Sequence, residues 1–322
     1  RMRLNKPGLK ARQGEAEKRG GMQMIRKDRK HPVLTEEWHD TEDGGRLLLL
    51  KYPLFAESGL VKHGISTRFG GVSEGIFSTM NLSFARGDDP DAVRENFRRI
   101  AKALGTAYEN FVFTDQTHTT NVRKVTSADA GKGLTRERDY RDVDGLITDE
   151  PGLVLSTFYA DCVPLFFVDP VRRAIGLSHS GWRGTAGRMG AVTIAAMERE
   201  YGSRPEDLLC AVGPSICQDC YEVGEDVAAQ FEKAFAGTAQ AFGDAKESGI
   251  LRPGAPGKYQ LDLWRANECV LLEAGVLPEH IAVTDVCTCC NPDLLFSHRA
   301  SQGRRGNFGA FLCLPDETDA AG

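Results

Sequence analysis

The chain has 322 residues, 41% of them hydrophobic and 26% charged, with a formal net charge of -5. That length suffices for one large domain or two modest ones with a buried core, and the balance lacks the basic excess that would favour nucleic acid. No apolar run approaches the roughly 18 residues needed to span a bilayer, and no apolar secretory stretch stands at the N-terminus, so a cytoplasmic protein with no membrane contact is expected. Nine cysteines, an odd count, point in a non-exported chain to reduced thiols, metal ligands or a nucleophile, not to a disulfide framework.

Residues 1 to about 30 are rich in Lys, Arg, Gly and Gln and poor in apolar side chains. They bury too little to offset the entropy of ordering, so a flexible basic tail (1–30) is expected ahead of one domain (31–322). The sequence opens on Arg1, with Met22 and Met24 as alternative natural starts. Short strands are predicted at 47–52 and 61–67, before a turn at Gly70-Gly71. Asp89-Pro90 opens a helix to about residue 103: Asp is a good N-cap, Pro suits the first helical position, and Val93, Phe97, Ile100 and Leu104 share one face. Strands at 111–114 and 121–125 flank Gln116-Thr117-His118, and a charged loop at 131–142 carries Arg136, Arg138 and Arg141. Nearly continuous apolar runs follow at 153–158, 165–169 and 174–178, which reads as strands covered on both faces. The last leads through Leu-Ser-His-Ser-Gly-Trp-Arg-Gly (177–184) into a helix over 189–201, one of the covers. Beyond it the pattern predicts a strand at 208–212, a helix at 226–235, a loop at 237–257, a helix at 261–274 and strands at 281–286 and 308–314. No repeat, heptad or linker divides the chain, and the Gly/Pro/Ala stretch at 249–257 reads as an insertion.

Three segments share one design, a metal-capable side chain at the end of a strand: Gln116-Thr-His118, Ala160-Asp-Cys162 and His179-Ser-Gly-Trp-Arg183. A histidine at a strand exit, followed by Gly181 and Gly184, is a common way to present a side chain to a cleft. Two imidazoles and a thiolate suit Zn2+ and leave the fourth tetrahedral position for water or substrate, as a catalytic site requires. Taken singly, a histidine is more often a core or surface residue and a buried cysteine a small hydrophobe, and the spacing is not a compact zinc motif.

A wider set of motifs resembles one family. His63-Gly-Ile-Ser-Thr-Arg68-Phe-Gly-Gly-Val-Ser73, Asn81-Leu82, Gly87-Asp88-Asp89, Glu95-Asn96, Gln116-Thr-His118, Asp144-Gly145, Ala160-Asp-Cys162-Val-Pro164 and His179-Ser-Gly-Trp-Arg-Gly184 stand in order. Gly213-Pro-Ser-Ile216, Tyr221-Glu-Val-Gly224, Asp262-Leu263, Cys287-Thr288 and Phe296-Ser-His-Arg299 continue the series. Together, from about residue 45 to 314, they resemble the YfiH family, also called the laccase-domain or polyphenol oxidase family and mainly described as purine nucleoside phosphorylases. The resemblance implies a zinc site at His118, Cys162 and His179, and a single-domain α/β (α+β) fold with a mixed β-sheet core layered by helices. It also implies phosphorolysis of adenosine, inosine and methylthioadenosine, with adenosine deamination, so that purine nucleosides and phosphate are the partners of a monomer or small homo-oligomer. His298 is a departure, because this family more often has Tyr in the Phe-Ser-x-Arg segment.

Phosphorolysis needs an anion site beside the ribose. Arg68, Arg183 and Arg299 are candidates because guanidinium is a permanently charged fork for phosphate, and the alternative for each is solvation or a structural ion pair. Deamination needs a water activated by the metal; Asp161 either serves as acid–base or ligand orienter, or faces away and holds a turn. Gln116 and Asn81 either bind ribose hydroxyls or an adenine edge, or satisfy loop backbone, and Trp182 either stacks a base or packs the following helix. Ser180 has no partner base. Cys217-Gln-Asp-Cys220 and Cys287-Thr-Cys-Cys290 form a structural-zinc or redox pattern, with a disulfide between the two segments as the alternative if they are exposed, and the family gives neither a settled metal role. His31, His39 and His280 read as surface residues and His63 as support for a strand end.

Rival functions use the same residues. A copper oxidase, with Cu2+ in place of Zn2+, needs many imidazoles, and the chain has seven histidines and no His-x-His pair. A cysteine hydrolase would use Cys162 as nucleophile and His179 or His118 as base, in chemistry such as editing of peptidoglycan precursors. A zinc-stabilised binding module would lose its fold with its metal.

Overall fold

The computed structural model describes residues 24–28, 32–236 and 244–316. From the N-terminal side, β1 (Thr35–Asp40) and β2 (Arg46–Lys51) form a hairpin, α1 (Pro53–Ser58) turns the chain, and β3 (Lys62–Ser66) returns beside β2. Helix α2 (Pro90–Leu104) forms as its start predicts: the Asp89 carboxylate accepts the Asp91 amide, Pro90 opens the helix, and Gly105 closes it at φ 61°. Strands β4 (Phe111–Phe113), β5 (Val122–Lys124), β6 (Gly145–Thr148), β7 (Val154–Tyr159), β8 (Val163–Asp169) and β9 (Ala174–Ser180) follow. From β9 the chain enters α3 (Trp182–Ala186) and α4 (Met189–Tyr201). The remainder carries β10 (Leu209–Val212), β11 (Glu222–Gly224), α5 (Glu225–Ala234), β12 (Leu251–Pro253), β13 (Lys258–Leu261), α6 (Leu263–Glu273), β14 (Ile281–Val283), α7 (His298–Ser301) and β15 (Phe308–Cys313).

The mixed core consists of two six-stranded sheets, ordered β1-β2-β3-β15-β7-β4 and β14-β10-β8-β9-β6-β5, plus a small β11-β13-β12 sheet. Alternation along the strands assigns the layers. In β8, Phe166 and Val168 join a central cluster with Leu48, Leu50, Ile65, Leu155 and Leu312 of the other sheet, while Leu165 and Phe167 point outward onto α4, α5 and α6. In β2, Leu48 and Leu50 face inward, and Leu47 and Leu49 meet Val93, Phe97 and Ile100 of α2. The order is therefore helix, sheet, sheet, helix. Each large side chain so buried contributes about 1.5–3 kcal/mol.

Several regions differ from the sequence expectation, among them the short helices α1 and α7, where no helix is expected, and β14, which ends at Val283 and not at 286. Strand β1 carries no strand signal in the sequence, because it is an edge strand exposed along Thr35, Glu36, Glu37 and Asp40 and has no apolar alternation. The β11–β13 sheet lies on short, mostly exposed strands, two of which border or enter the predicted loop at 237–257. Residues 24–28, which composition assigned to the tail, are docked: Arg26 pairs with Asp285 at 2.9 Å and the Ile25 amide donates to Asn291 Oδ1 at 2.8 Å. The rest of the expected tail and His31 lie outside the described residues. Among the described residues no helix is long and apolar enough to cross a membrane.

Candidate active site

Strand β7 belongs to one sheet and β8 to the other, so residues 160–162 carry the chain across the gap between them. The segment from β4 to β5 makes the same crossing and carries His118, while β9 ends on His179 and Ser180. These crossings bring His118, Cys162 and His179 together at one end of the sandwich. The backbone there is strained, with φ +66° at His118 and +88° at Asp161, at a cost of order 1–3 kcal/mol each. Hydrogen bonds hold both turns. The Asp144 carboxylate accepts the amides of Thr117, His118 and Thr119 at 3.2, 3.1 and 2.8 Å. Asp161 accepts Thr288 Oγ1 at 2.6 Å and the Arg299 amide at 2.7 Å. A Cβ on Gly181 would fall 2.9 Å from His118 Cδ2 and 3.2 Å from Cys162 Sγ, so only glycine lets this backbone pass the site.

One ligand atom from each of His118, Cys162 and His179 lies within 4.8 Å of the others, with Cys162 Sγ 4.0 Å from His118 Nε2. Ligands of a tetrahedral Zn2+ with N and S bonds stand about 3.5 Å apart, so modest closure fits that ion. His179 Nδ1 lies 2.8 Å from Asp144 Oδ1, which fixes its proton there and leaves Nε2 to face the site. Burial opposes charge on Asp144, yet its bond to His179 and those to Thr119 hold the carboxyl below its usual range. Burial likewise raises the Cys162 thiol, but the charge of His179 and a hydrogen bond with His118 outweigh it and leave the thiol at about 6. His179 is the mirror case: burial lowers it, and Cys162 and Asp144 carry it to about 9. His179 is buried, Cys162 partly so and His118 exposed, so the triad is open on the His118 side.

That side faces a cavity of about 340 Å3 lined by the triad, Gln116, Phe84, Phe158, Arg86, Arg138 and Arg305, among others, a volume in the range of small-ligand sites. Arg138 is occupied by Asp115 at 2.8 Å and the Thr114 carbonyl at 2.7 Å. Arg305 donates to Asn307 Oδ1, but its Nε is buried without a partner. Burial, reinforced by the neighbouring charge of Arg86, lowers Arg305 to about 10. Arg86 is exposed and makes no ion pair among the described residues.

The family model described as multi-copper polyphenol oxidoreductase laccase matches residues 62–315. The chain belongs to this laccase-domain family. It is 38% identical over 259 residues to a purine nucleoside phosphorylase YlmD of Geobacillus stearothermophilus, covering 79% of this chain and 90% of the relative. It is 34% identical over 247 residues to the adenosine deaminase RL5 of an unknown prokaryotic organism, covering 76% and 91%. The crystal structure of YlmD from Geobacillus stearothermophilus superimposes with a TM-score of 0.78 at 34% identity, over 89% of this chain and all of that one.

Within the laccase-domain fold, several side chains offered by the sequence stand outside the cavity. Arg68 donates to the carbonyls of Ser78 and Pro292 at 2.9 and 2.7 Å and covers Phe296. Arg183 lies over Trp182, which packs on the outer core of the second sheet. Arg299 donates to the carbonyls of Cys220 and Glu222, both at 3.1 Å. None of the three lines the cavity with the triad. Asp161 does not line it either, because its carboxylate holds the turn to Thr288 and Arg299. Asn81 is fully buried, its amide bonded to Ser83, Asp88 and Asn307. Gln116 does line the cavity, with its amide paired to both backbone groups of Phe158 at 2.7 Å. His63 supports the strand end by accepting the Tyr52 amide at 2.8 Å. His39 is half-exposed beside Glu37, and His280 is partly buried. Sequence reasoning missed Asp144, whose only sign was a place in the Asp-Gly motif before β6, and Arg86 and Arg305, which carried no sign.

Proposed function

We propose that the protein is a zinc-dependent purine nucleoside phosphorylase of the cytoplasm that acts on adenosine, inosine and methylthioadenosine and deaminates adenosine in the same cavity. The observation that carries this reading is a three-ligand cluster on the wall of a 340 Å3 cavity that also presents Arg86 and Arg305. The kinship with a purine nucleoside phosphorylase and an adenosine deaminase supports the substrate class. The donor set favours Zn2+ over a copper cluster, since two imidazoles and one thiolate do not supply the ligands of several copper ions. When bound, Zn2+ would supply a Lewis-acidic position for water or a substrate atom.

The chain's own residues then divide the remaining tasks. Arg86 and the free Nε of Arg305 hold phosphate by charge-assisted hydrogen bonds. Phe84 and Phe158 give the purine apolar walls, and Gln116 fixes Phe158 through its backbone. A phosphate oxygen bonds to ribose C1′ as the bond from C1′ to the base breaks, and the base leaves with the electron pair and takes up a proton. Asp144 keeps the His179 ring from turning during these steps.

The test is chromatography of inosine and adenosine incubations with and without phosphate, alongside metal analysis, for wild type, Cys162→Ala and His179→Ala. Base and ribose 1-phosphate are expected only with phosphate and an intact triad. Undiminished base release by folded variants lacking the triad metal overturns the reading. The lowered Cys162 thiol beside His179 favours a second reading, a cysteine hydrolase. That enzyme keeps its activity after metal removal, whereas the phosphorylase loses it.

A further inference from the structure

We propose that Cys217, Cys220, Cys287 and Cys290 form a second metal centre, a closed four-thiolate Zn2+ site that clamps two loops beneath the turn carrying Cys162. The four side chains form two Cys-x-x-Cys pairs, Cys217-Gln-Asp-Cys220 and Cys287-Thr-Cys-Cys290. Their sulfurs all lie within 4.8 Å of one another, and those of Cys220 and Cys290 are 3.5 Å apart. Four sulfurs at the Zn–S distance around a tetrahedral ion stand about 3.8 Å apart, so the cluster already has nearly the required size.

The backbone is arranged for the same purpose. Each pair closes a tight turn, with the Cys220 amide donating to the Cys217 carbonyl at 3.0 Å and the Asn291 amide to the Cys287 carbonyl at 3.1 Å. Bridge pairing of Ser215 with Cys287, and the Thr288 amide on the Ser215 carbonyl at 3.1 Å, set the two turns side by side. The amides of Cys217 and Cys290 both point at Cys287 Sγ, at 3.2 and 3.4 Å, as donors that favour a thiolate. Cys217 and Cys287 are buried and the other two partly so. All four positions of a tetrahedron are filled by protein, which is the structural and not the catalytic kind of zinc site.

The clamp reaches the active site through Asp161. Thr288, inside the second pair, donates to Asp161 Oδ1 at 2.6 Å, and the Ile216 amide, next to the first pair, donates to the Asp161 carbonyl at 3.0 Å. Arg299 joins the Cys220 carbonyl to Asp161 Oδ2. The four cysteines are thus positioning residues for Cys162.

The test uses the full chain purified under a non-chelating reductant. Wild type is expected to hold two equivalents of Zn2+, the Cys162→Ala/His179→Ala variant one, and Cys217→Ser/Cys287→Ser one. The cysteine variant is prone to misfold, so the deciding sample is Cys162→Ala/His179→Ala stripped and reloaded with Co2+. One equivalent with strong thiolate-to-cobalt charge transfer and tetrahedral d–d bands supports the site. No retained ion after dialysis, with all four thiols freely titrating, overturns it. So does a Cys220–Cys290 disulfide as the native state.

Discussion

The histidine–cysteine triad and the four-cysteine cluster are joined through one turn, yet they are built in opposite ways. The triad draws its ligands from three separate parts of the chain, places the ligand His118 and the neighbouring Asp161 in the left-handed region, and leaves His118 exposed to a cavity. The cluster draws its sulfurs from two short turns with amides directed at one of them, and half of it is buried. An open coordination position requires ligands that do not surround the ion, so their aim must come from neighbours such as Asp144 and Gly181. A closed shell needs only local spacing and two loops in register. The first arrangement suits turnover and the second suits holding a fold.

The sharpest way to separate the two centres is to remove one at a time. Loss of the proposed triad metal in Cys162→Ala should remove several kcal/mol of transition-state stabilisation, about a thousandfold in kcat, while the melting temperature falls less than in the cluster variant. Loss of the cluster in Cys217→Ser/Cys287→Ser should do the reverse, lowering the melting temperature first.

Asp144→Asn tests whether the triad depends on its neighbours: zinc affinity at the triad, read by chelator competition, should fall about 10–100-fold, with activity recovered at high zinc. Arg305→Gln would remove the proposed charge-assisted contact to phosphate and should raise the phosphate KM about tenfold, with a smaller change in the nucleoside KM.

The last prediction is a shift in pH. In the metal-stripped protein the Cys162 thiol lies at about 6, below its ordinary 9.0, and His179 at about 9, above 6.5. The depressed thiol contributes stability that is complete above 9 and lost as pH falls through 6. The raised imidazole contributes stability complete below 6.5 and lost as pH rises through 9. The ion pair therefore persists between the two values, and iodoacetamide labelling of Cys162 should show its midpoint near 6. A midpoint at the ordinary thiol value contradicts the pairing.

Much of this was legible in the chain. Helix α2 announces itself through Asp89-Pro90, and β8 and β9 through unbroken apolar runs, because those signals are local. The triad was legible as three metal-capable side chains at strand ends. Asp144 was not, since it acquires its role only when β6 pairs with β9 and the His179 amide bonds to the Asp144 carbonyl at 2.7 Å. Arginines in turns look alike in a sequence. Arg68 and Arg299 are used by carbonyls of distant loops, whereas Arg86 and Arg305 meet at the cavity through the packing of segments more than two hundred residues apart. Strand β1 was hidden because an exposed edge needs no apolar face.

The most direct measurement is anomalous diffraction at the zinc absorption edge from crystals of the full chain. One peak is expected about 2.0–2.3 Å from His118 Nε2, Cys162 Sγ and His179 Nε2, with its fourth position toward the cavity. The absence of that peak, or a peak closed off by a fourth protein ligand, contradicts a catalytic metal at the triad.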